Sequence, residues 1–353
     1  MTARIRPSKK AKRKLWEGTS NDSLLMSDIA AIAKVSKSTV SRALAGSPLI
    51  SERTRERIIQ IAQSRGYAVN PAARSLRMGQ TNTIAVLIPL KHAPRQHVYD
   101  PFFTEMLTHL GDALGARGYD LLLSKVTDTS ANWLEEPIRS RRADGVIVIG
   151  QSLEHKYMNA AAASGAPFVV WGAKLPRQRY VSVGTNNWEG GAMATRHLLE
   201  RGRRRIAFLG DHRAPEVLER YRGYTAALAA SRLQPNPDID LPVPFGAEET
   251  LQALHELFRS HIPVDGIVAA SDVIAMSALR ALDEAGMRAP NDVSVVGFDD
   301  ITLAAYTTPP LTTVRQDIAK GASLLVEKLL CLLQGDVAET AQMPPNLIVR
   351  STT

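Results

Sequence analysis

The chain has 353 residues, 44% of them hydrophobic and 22% charged, a length and composition that predict a globular protein of two or three domains. One cysteine, Cys331, excludes a disulfide framework and a cysteine-rich zinc site, and the apolar runs are too short to span a membrane. The net charge of +8 is unevenly distributed: residues 1–80 carry +11, with 16 basic and 5 acidic side chains, and the remaining residues carry −3. This distribution indicates that the N-terminal part binds a polyanion.

Residues 1–24 are basic and lack apolar periodicity. This composition predicts a disordered tail that adds a non-specific grip on phosphates. A second methionine, Met26, stands just before the first periodic segment and is an alternative native start. No apolar segment follows the basic start, so we predict no secretory signal and expect a cytoplasmic protein.

Residues 25–69 have the pattern of three short helices. The first, "SDIAAIA", has Ser27 as its predicted N-cap, and the second, "SKSTVSRAL", has Ser36. The third, "SERTRERIIQIAQSRG", runs from the predicted N-cap Ser51 to Gly66, a residue type that favours the position after a helix C-cap. This spacing predicts a small helix-turn-helix domain.

The second of these helices has two different faces. Val40 and Leu44, four residues apart, are expected to pack inward, while polar and basic side chains project outward. Such a face can reach base edges and phosphates in a major groove; the alternative is a solvated charged face on a small helical domain. The predicted DNA contacts in this region are Ser36, Lys37, Ser38, Thr39, Ser41, Arg42 and Ser51.

Residues 70–80 contain "NPAARSLRMG", with a proline at a helix start and a glycine at its end. About two turns of helix are too short to be stable alone in water. We therefore predict a hinge helix or linker that becomes ordered against DNA.

From Thr81 onward, short buried strands alternate with amphipathic helices, the pattern of parallel α/β sheets. The predicted strands are "TIAVLIPL", "YDLLLSKV", "DGVIVIG", "PFVVWG", "RIAFLG", "DGIVAAS" and "DVSVVGFD". We expect residues 81–353 to form two lobes, the first from about 81–184 plus 315–340 and the second from about 185–312 plus the C-terminal strand.

Several motifs resemble those of the lactose/galactose repressor family of bacterial regulators. They are "DIAAIAKVSKSTVSRAL", "ISERTRERI", "GYAVNPAARSL", "VGFDD", "PPLTTVRQD" and "LIVRSTT", and they cover the chain from about Ser27 onward. One departure is Lys34, which stands where the family pattern usually has a glycine in the turn. If that residue is left-handed, the lysine costs roughly 1 kcal/mol.

The resemblance implies a headpiece with a hinge helix, followed by a periplasmic-binding-protein-like (type I) core of two parallel-sheet lobes. It implies that Lys37, Ser38 and Arg42 read bases. Asn70 and Leu76 then belong to the DNA contacts of the hinge, with Leu76 as a minor-groove wedge. Without the family match, Leu76 reads as a linker residue. The implied protein is a homodimeric transcriptional regulator that acts as a repressor on a near-palindromic operator of double-stranded DNA.

The same resemblance places an effector site between the lobes, at the carboxyl ends of the strands. Asp299 and Arg220 match effector-binding positions, and Asp272 fits a helix N-cap near them. These groups suit a hydroxyl-rich sugar, with a nucleobase or a phosphorylated sugar as alternatives. Three aromatic residues are candidates for stacking on a ring, although aromatic residues of this kind more often belong to the core: Phe102, Phe103 and Phe245.

Enzymatic functions receive little support. The sequence has no dinucleotide-binding glycine motif, no phosphate-binding P-loop and no nucleophile elbow, and its histidines lack metal-ligand spacing. We therefore predict no catalytic residue, no metal and no cofactor. The alternatives are a doubly wound dehydrogenase-like enzyme and a sugar-binding receptor. The receptor would need an export signal and would have no DNA-binding domain.

Overall fold

The computed structural model describes residues 25–44, 46–67, 80–90, 100–126, 132–151, 154–245 and 247–353. The chain divides into two compact units at residues 78 and 79. The first unit contains three helices, α1 (Met26–Ile32), α2 (Lys37–Leu44) and α3 (Glu52–Ser64). The predicted helix-turn-helix arrangement of three short helices is therefore confirmed.

The helix ends follow the local sequence with one exception. Thr39 donates its backbone N–H to Ser36 Oγ at 3.1 Å, as expected for a cap of α2. Ser51 is the N-cap of α3, and Gly66 follows the end of that helix with a φ of 63°. The prediction for α1 is wrong: the helix begins at Met26, and Ser27 lies inside its first turn.

A small core joins the three helices. Ile29, Val40 and Ile58, one from each helix, are fully buried, and Leu44 and Ile61 pack against them. Alanines fill the remaining contacts, which allows the helix backbones to approach closely. The inward face predicted for α2 from Val40 and Leu44 is confirmed.

The second unit contains two parallel sheets, each of six strands among the described residues. The first sheet has the order β11-β5-β4-β3-β1-β2, with β1 (Thr83–Pro89), β2 (Asp120–Val126), β3 (Gly145–Ile149), β4 (Phe168–Trp171), β5 (Val181–Thr185) and β11 (Ala341–Met343). The second has the order β12-β10-β9-β8-β6-β7, with β6 (Ile206–Leu209), β7 (Asp240–Leu241), β8 (Gly266–Ala269), β9 (Ser294–Asp299), β10 (Thr312–Arg315) and β12 (Asn346–Ile348).

Helices cover these sheets and bury the apolar strands. The helices of the first lobe are α4 (Pro101–Gly115), α5 (Glu136–Arg139), α6 (His155–Ala163) and α11 (Ile318–Leu333). Those of the second are α7 (Asn187–Glu200), α8 (Pro215–Ala230), α9 (Ala247–Arg259) and α10 (Asp272–Glu284), with 3₁₀ turns at Pro237–Ile239 and Thr302–Tyr306. All pairs within the sheets are parallel except β10–β12.

The chain passes between the lobes three times. It leaves the first sheet after Thr185, returns after Arg315, and leaves again between Met343 and Asn346. Helix α11 packs its apolar face against the first lobe, where Leu325 and Leu329 are fully buried. The seven strands predicted by their sequence and the expected C-terminal strand (β12) are all present, and the short strands β5, β7, β10 and β11 are additional.

None of the described helices is both long and apolar enough to cross a lipid bilayer.

Candidate DNA-binding surface and effector site

Helix α2 exposes three of the side chains predicted to contact DNA. Lys37, Ser38 and Arg42 are exposed, while Val40 and Ala43 pack in the core of the first unit. Ser41 was expected on the same outer face, and this is wrong, because Ser41 is only 7% exposed. Its exposed neighbour Arg42 shows that the outer face of α2 is narrower than the sequence pattern predicted.

Hydroxyl groups cluster at the start of this helix. Ser36 Oγ lies 2.7 Å from Ser38 Oγ and 2.9 Å from Thr39 Oγ1. At the start of α3, Ser51 donates its hydroxyl to Thr54 Oγ1 at 2.9 Å. Both helix starts therefore combine hydroxyls with backbone N–H groups, which is the combination that binds phosphate oxygens.

The turn before α2 contains Lys34, which has a φ of 50°. This left-handed conformation explains why a glycine is favoured at that position. Asn70, Leu76 and the predicted hinge helix lie outside the described residues.

The second lobe brings Asp299 and Arg220 together behind the carboxyl end of β9. Asp299 is 7% exposed and accepts a hydrogen bond from Gln316 Nε2 at 2.7 Å. Burial raises the pKa of its carboxyl group to about 7, although the Arg220 guanidinium and the bond from Gln316 favour the charged form. Asp299 is thus a carboxyl group that changes charge near neutral pH.

Arg220 lies on α8 and is 6% exposed. Its Nε donates to Asn187 Oδ1 at 2.8 Å, its Nη1 donates to the Ala270 carbonyl, and its guanidinium lies 3.7 Å from the centre of the Phe298 ring. Burial lowers the pKa of Arg220, while Asp299, Glu216 and Asp272 raise it. The side chain is held in one orientation, as a preorganised donor requires.

Asp272 has a different role from the predicted one. The N-cap of α10 is Ser271, whose Oγ accepts the N–H of Ile274 at 3.3 Å. Asp272 is fully buried, and its carboxylate accepts the Ile301 N–H at 2.9 Å and the Thr313 hydroxyl at 2.5 Å. It ties the loop after β9 to β10, which leaves its carboxylate oxygens occupied by the protein itself.

The three aromatic candidates differ in their burial and in the core against which each packs. Phe103 is 5% exposed and packs in the core of the first lobe, so the core interpretation holds for it. Phe102 is half-buried and packs against the cores of both lobes, 6.2 Å from the Trp171 ring. Phe245 is half-buried against the core of the second lobe.

Sequence reasoning missed the groups that join the lobes. Glu105 of α4 accepts the Thr302 N–H of the second lobe at 2.7 Å. Glu216, one turn before Arg220, accepts the Gln151 N–H of the first lobe at 3.2 Å. Burial raises the pKa of Glu216. Glu216 lies four residues before Arg220 and so on the same helix face, which is the one sequence signal that pointed to it.

The Gln151 side chain continues this contact into the first lobe. Its Nε2 donates to the Ala173 carbonyl at 2.7 Å and to the Tyr180 hydroxyl at 2.9 Å. His155 Nδ1 lies 3.0 Å from the same hydroxyl. Gln151 is completely buried, so these bonds fix the loop after β3 that faces Glu216.

These features define a class of protein: a helix-turn-helix unit joined to a two-lobed sensor of the periplasmic-binding-protein type. Residues 25–70 match the family model of bacterial regulatory proteins, lacI family, and residues 195–353 match that of a periplasmic binding protein-like domain. The regulator CelR of Thermobifida fusca is 30% identical over 334 residues, covering 92% of this chain and 96% of that protein. The ribose operon repressor of Haemophilus influenzae is 29% identical over 337 residues, covering 93% of this chain and 98% of that protein.

Solved structures agree. A CelR–cellobiose complex has a TM-score of 0.69 and 28% identity, covering 94% of this chain and all of that one. A lac repressor dimer bound to operator has a TM-score of 0.83 at 24% identity, covering 94% of this chain and 99% of that one, and shows the shared fold. The chain belongs to the lacI family of bacterial regulatory proteins and is a DNA-binding transcriptional regulator.

Proposed function

We propose that this regulator is a cytoplasmic homodimeric repressor without enzymatic activity, and that a sugar effector controls its affinity for a near-palindromic operator. The observation that carries the effector site is that two buried side chains of opposite charge, Arg220 and Asp299, interact electrostatically at the carboxyl end of β9. A carboxylate that accepts two hydroxyl hydrogen bonds and a guanidinium that donates two suit a polyol. Relatives named for ribose and crystallised with cellobiose support a sugar.

The DNA contact rests on helix α2. We infer that Lys37, Ser38 and Arg42 reach base edges, and that Ser36, Thr39 and Ser51 contact phosphates. Ser41 drops out of this set because it is buried. Two copies related by a two-fold axis present the same helix twice, which requires two similar half-sites.

Effector binding then acts on DNA through the lobes. A sugar between the lobes changes their closure, and closure alters the segment that joins the core to the DNA-binding unit. Asn70 and Leu76 belong to that segment in this proposal. The coupling is reciprocal, so the operator changes effector affinity by the same factor, which is typically about 5–150-fold.

The experiment is a selection of genomic fragments on the purified protein, followed by gel shifts with the selected operator. Cellobiose, ribose, a sugar phosphate and a nucleobase are added separately. We expect one neutral sugar to change operator affinity. If no duplex is selected, the proposed repressor function is refuted. If only the sugar phosphate or only the nucleobase changes operator affinity, the proposal that the effector is a neutral sugar is refuted.

Arg42→Ala tests the assignment of the recognition helix. Loss of a base contact is expected to weaken operator binding by about 1–3 kcal/mol and to relax sequence preference at one position of each half-site. Binding is measured by fluorescence anisotropy with a set of single-base operator variants.

A matched pair of variants, Ser38→Ala and Ser41→Ala, provides the control. Both remove one hydroxyl from α2, but Ser38 is exposed and Ser41 is buried. The preference profile should change for Ser38→Ala and stay unchanged for Ser41→Ala. An unaltered profile in Arg42→Ala contradicts the proposed role of that residue.

A further inference from the structure

Asp299 has a neighbour with an equally unusual backbone. Asp299 has a φ of 119° and Asp300 a φ of 56°, so two consecutive residues with side chains lie in the region that favours glycine. Such conformations are strained and persist only where the surrounding structure holds the residue in place. The strain lies directly at the proposed effector carboxylate.

The Asp300 carboxylate is held by two arginines. Its Oδ2 accepts a hydrogen bond from Arg315 Nε, and its Oδ1 accepts one from Arg350 Nη2, both at 2.6 Å. The Asp300 side chain is only 5% exposed. Both oxygens are therefore used for charge-assisted bonds away from bulk water, where such bonds are strongest.

The two arginines are themselves fixed by the sheet. Arg315 ends β10 and is paired in register with Asp299 on β9. Arg350 follows β12, donates its backbone N–H to Thr312 Oγ1 at 2.9 Å, and donates Nη1 to the Leu311 carbonyl at 2.7 Å. The Asp300 carboxylate thus joins the ends of two strands that are distant in sequence.

The residue after Arg315 completes the arrangement. Gln316 donates its backbone N–H to the Asp299 carbonyl at 3.2 Å and its side-chain amide to Asp299 Oδ1 at 2.7 Å. Residues 299–300 are therefore bonded to residues 315–316: Arg315 bonds to Asp300, and Gln316 bonds to Asp299. Within the described part of the chain, no hydrogen bond is made to Asp299 Oδ2, the oxygen left for a ligand.

We propose that Asp300, Arg315 and Arg350 are positioning residues that hold Asp299 in its effector-binding orientation. This inference rests on the proposed function, since it assumes that Asp299 binds the effector. The two arginines offset the backbone strain, and Gln316 then sets the direction of the Asp299 carboxylate. Removing the anchor is expected to let residues 299 and 300 relax away from Arg220.

The first test is Asp300→Asn, which keeps the side-chain shape and removes the charge. Binding of cellobiose and ribose is measured by calorimetry, and operator binding by gel shift without sugar. We expect sugar affinity to fall about 10–100-fold, as for a misplaced ligand-binding group, with operator affinity within about threefold. Sugar affinity within twofold of the parent protein would overturn the proposal.

Asp265→Asn is the matched control. Asp265 also pairs with an arginine, accepting from Arg205 Nε at 3.2 Å, but it precedes β8 at the opposite end of the sheet. This variant should bind sugar normally. An equal loss of sugar affinity in Asp265→Asn would mean that general destabilisation explains both variants, and the positioning role would be rejected.

A conservative pair at Arg315 separates positioning from folding. Arg315 is half exposed, so Arg315→Ala should still fold. We expect Arg315→Ala to weaken sugar binding and Arg315→Lys, which keeps one charged donor, to recover most of it. Equal behaviour of the alanine and lysine variants would contradict the role of Arg315.

A measurement made without ligand distinguishes the proposed sugar effector from the proposed positioning of Asp299. Crystal structures of the parent protein and of Asp300→Asn, both without sugar, should show the Asp299 φ moving from 119° and the 2.7 Å bond from Gln316 lost in the variant. If the parent protein binds neither sugar but the backbone moves, the sugar class is wrong and the positioning is right. An unmoved Asp299 refutes the positioning, whatever the effector is.

Discussion

At the scale of single residues, the burial of a charged group has a free-energy cost for the folded protein. Asp299 is kept in a site where its charged form is poorly solvated, although Arg220 and Gln316 partly compensate. Such a group destabilises the folded protein in exchange for a carboxylate that is ready to bind a ligand. Lys34 and Asp300, both with φ near 50–60°, are two further residues held in unfavourable conformations.

Asp299→Asn should therefore stabilise the protein in a pH-dependent way. The folded-state pKa of about 7 lies above the usual 3.8, so the folded protein holds this proton longer than the unfolded chain does. The resulting destabilisation grows as the pH rises from about 4 to 7 and is complete above 7. We expect a gain on the order of 1–3 kcal/mol at pH 8 that shrinks towards pH 4.

Urea unfolding at pH 8, 6 and 4 measures this effect. Asp292→Asn is the control, because Asp292 accepts the Arg288 N–H at an exposed turn of the same lobe. A gain that is independent of pH, or a loss at pH 8, would show that the Asp299 carboxyl does not carry the raised pKa.

Lys34→Gly tests the strain in the turn before α2. A glycine adopts the observed φ of 50° without a steric penalty, so the headpiece should become more stable by about 0.5–1 kcal/mol. Lys37→Gly, inside the first turn of α2, should lower stability by a similar amount. Hydrogen exchange of α2 and α3 amides in the full chain compares the two, and equal signs would contradict the conformational argument.

At the scale of elements, the close contact of α7 with α8 positions the arginine of the site. A methyl group at Gly191 would collide with the Arg220 carbonyl, and one at Gly223 would collide with the Trp188 carbonyl. The two helix backbones therefore touch with no side chain between them. This approach places Asn187 of α7 beside the Arg220 guanidinium.

Gly223→Ala is expected to destabilise the second lobe by about 1–3 kcal/mol and to weaken effector binding, because α8 must move. Gly111→Ala in α4 is the control, since a methyl group there meets no atom within 4 Å. Helix propensity should make that variant up to about 1 kcal/mol more stable. Thermal unfolding and calorimetric titration report both effects; a neutral Gly223→Ala would refute the tight contact.

At the scale of the whole molecule, two carboxylates join the lobes through backbone N–H groups. Glu105 contacts Thr302, and Glu216 contacts Gln151. Each bond ends on a loop that follows a strand, Thr302 after β9 and Gln151 after β3. The bond from Glu105 therefore joins the first lobe to the segment that directly follows Asp299.

Glu105→Ala should loosen this link. We expect faster hydrogen exchange over residues 300–306 and a smaller effect of the effector on operator affinity, by up to about 1 kcal/mol within the usual range of coupling energies. Glu219→Ala is the control, because Glu219 pairs only with Arg222 on the surface of α8 among the described residues. Parent-like exchange in Glu105→Ala would show that the contact does not restrain the loop.

The sequence by itself determined the elements whose signal is local. Caps and apolar spacing located α2 and α3, and continuous apolar runs located the long strands, because helix and strand periods depend on neighbouring residues. Asp299 and Arg220 were implied as effector contacts by the resemblance to the lactose/galactose repressor family, and not by a local pattern.

Features that depend on contacts between distant residues could be assigned only from the folded structure. Ser41 is buried, the Asp272 carboxylate accepts hydrogen bonds from Ile301 and Thr313, and Phe103 packs in the core of the first lobe. The short strand β11 is formed by pairing with β5, and the expected C-terminal strand, β12, pairs with β10. Burial and hydrogen-bond partners come from residues far apart in the chain, and local patterns do not encode which of these meet.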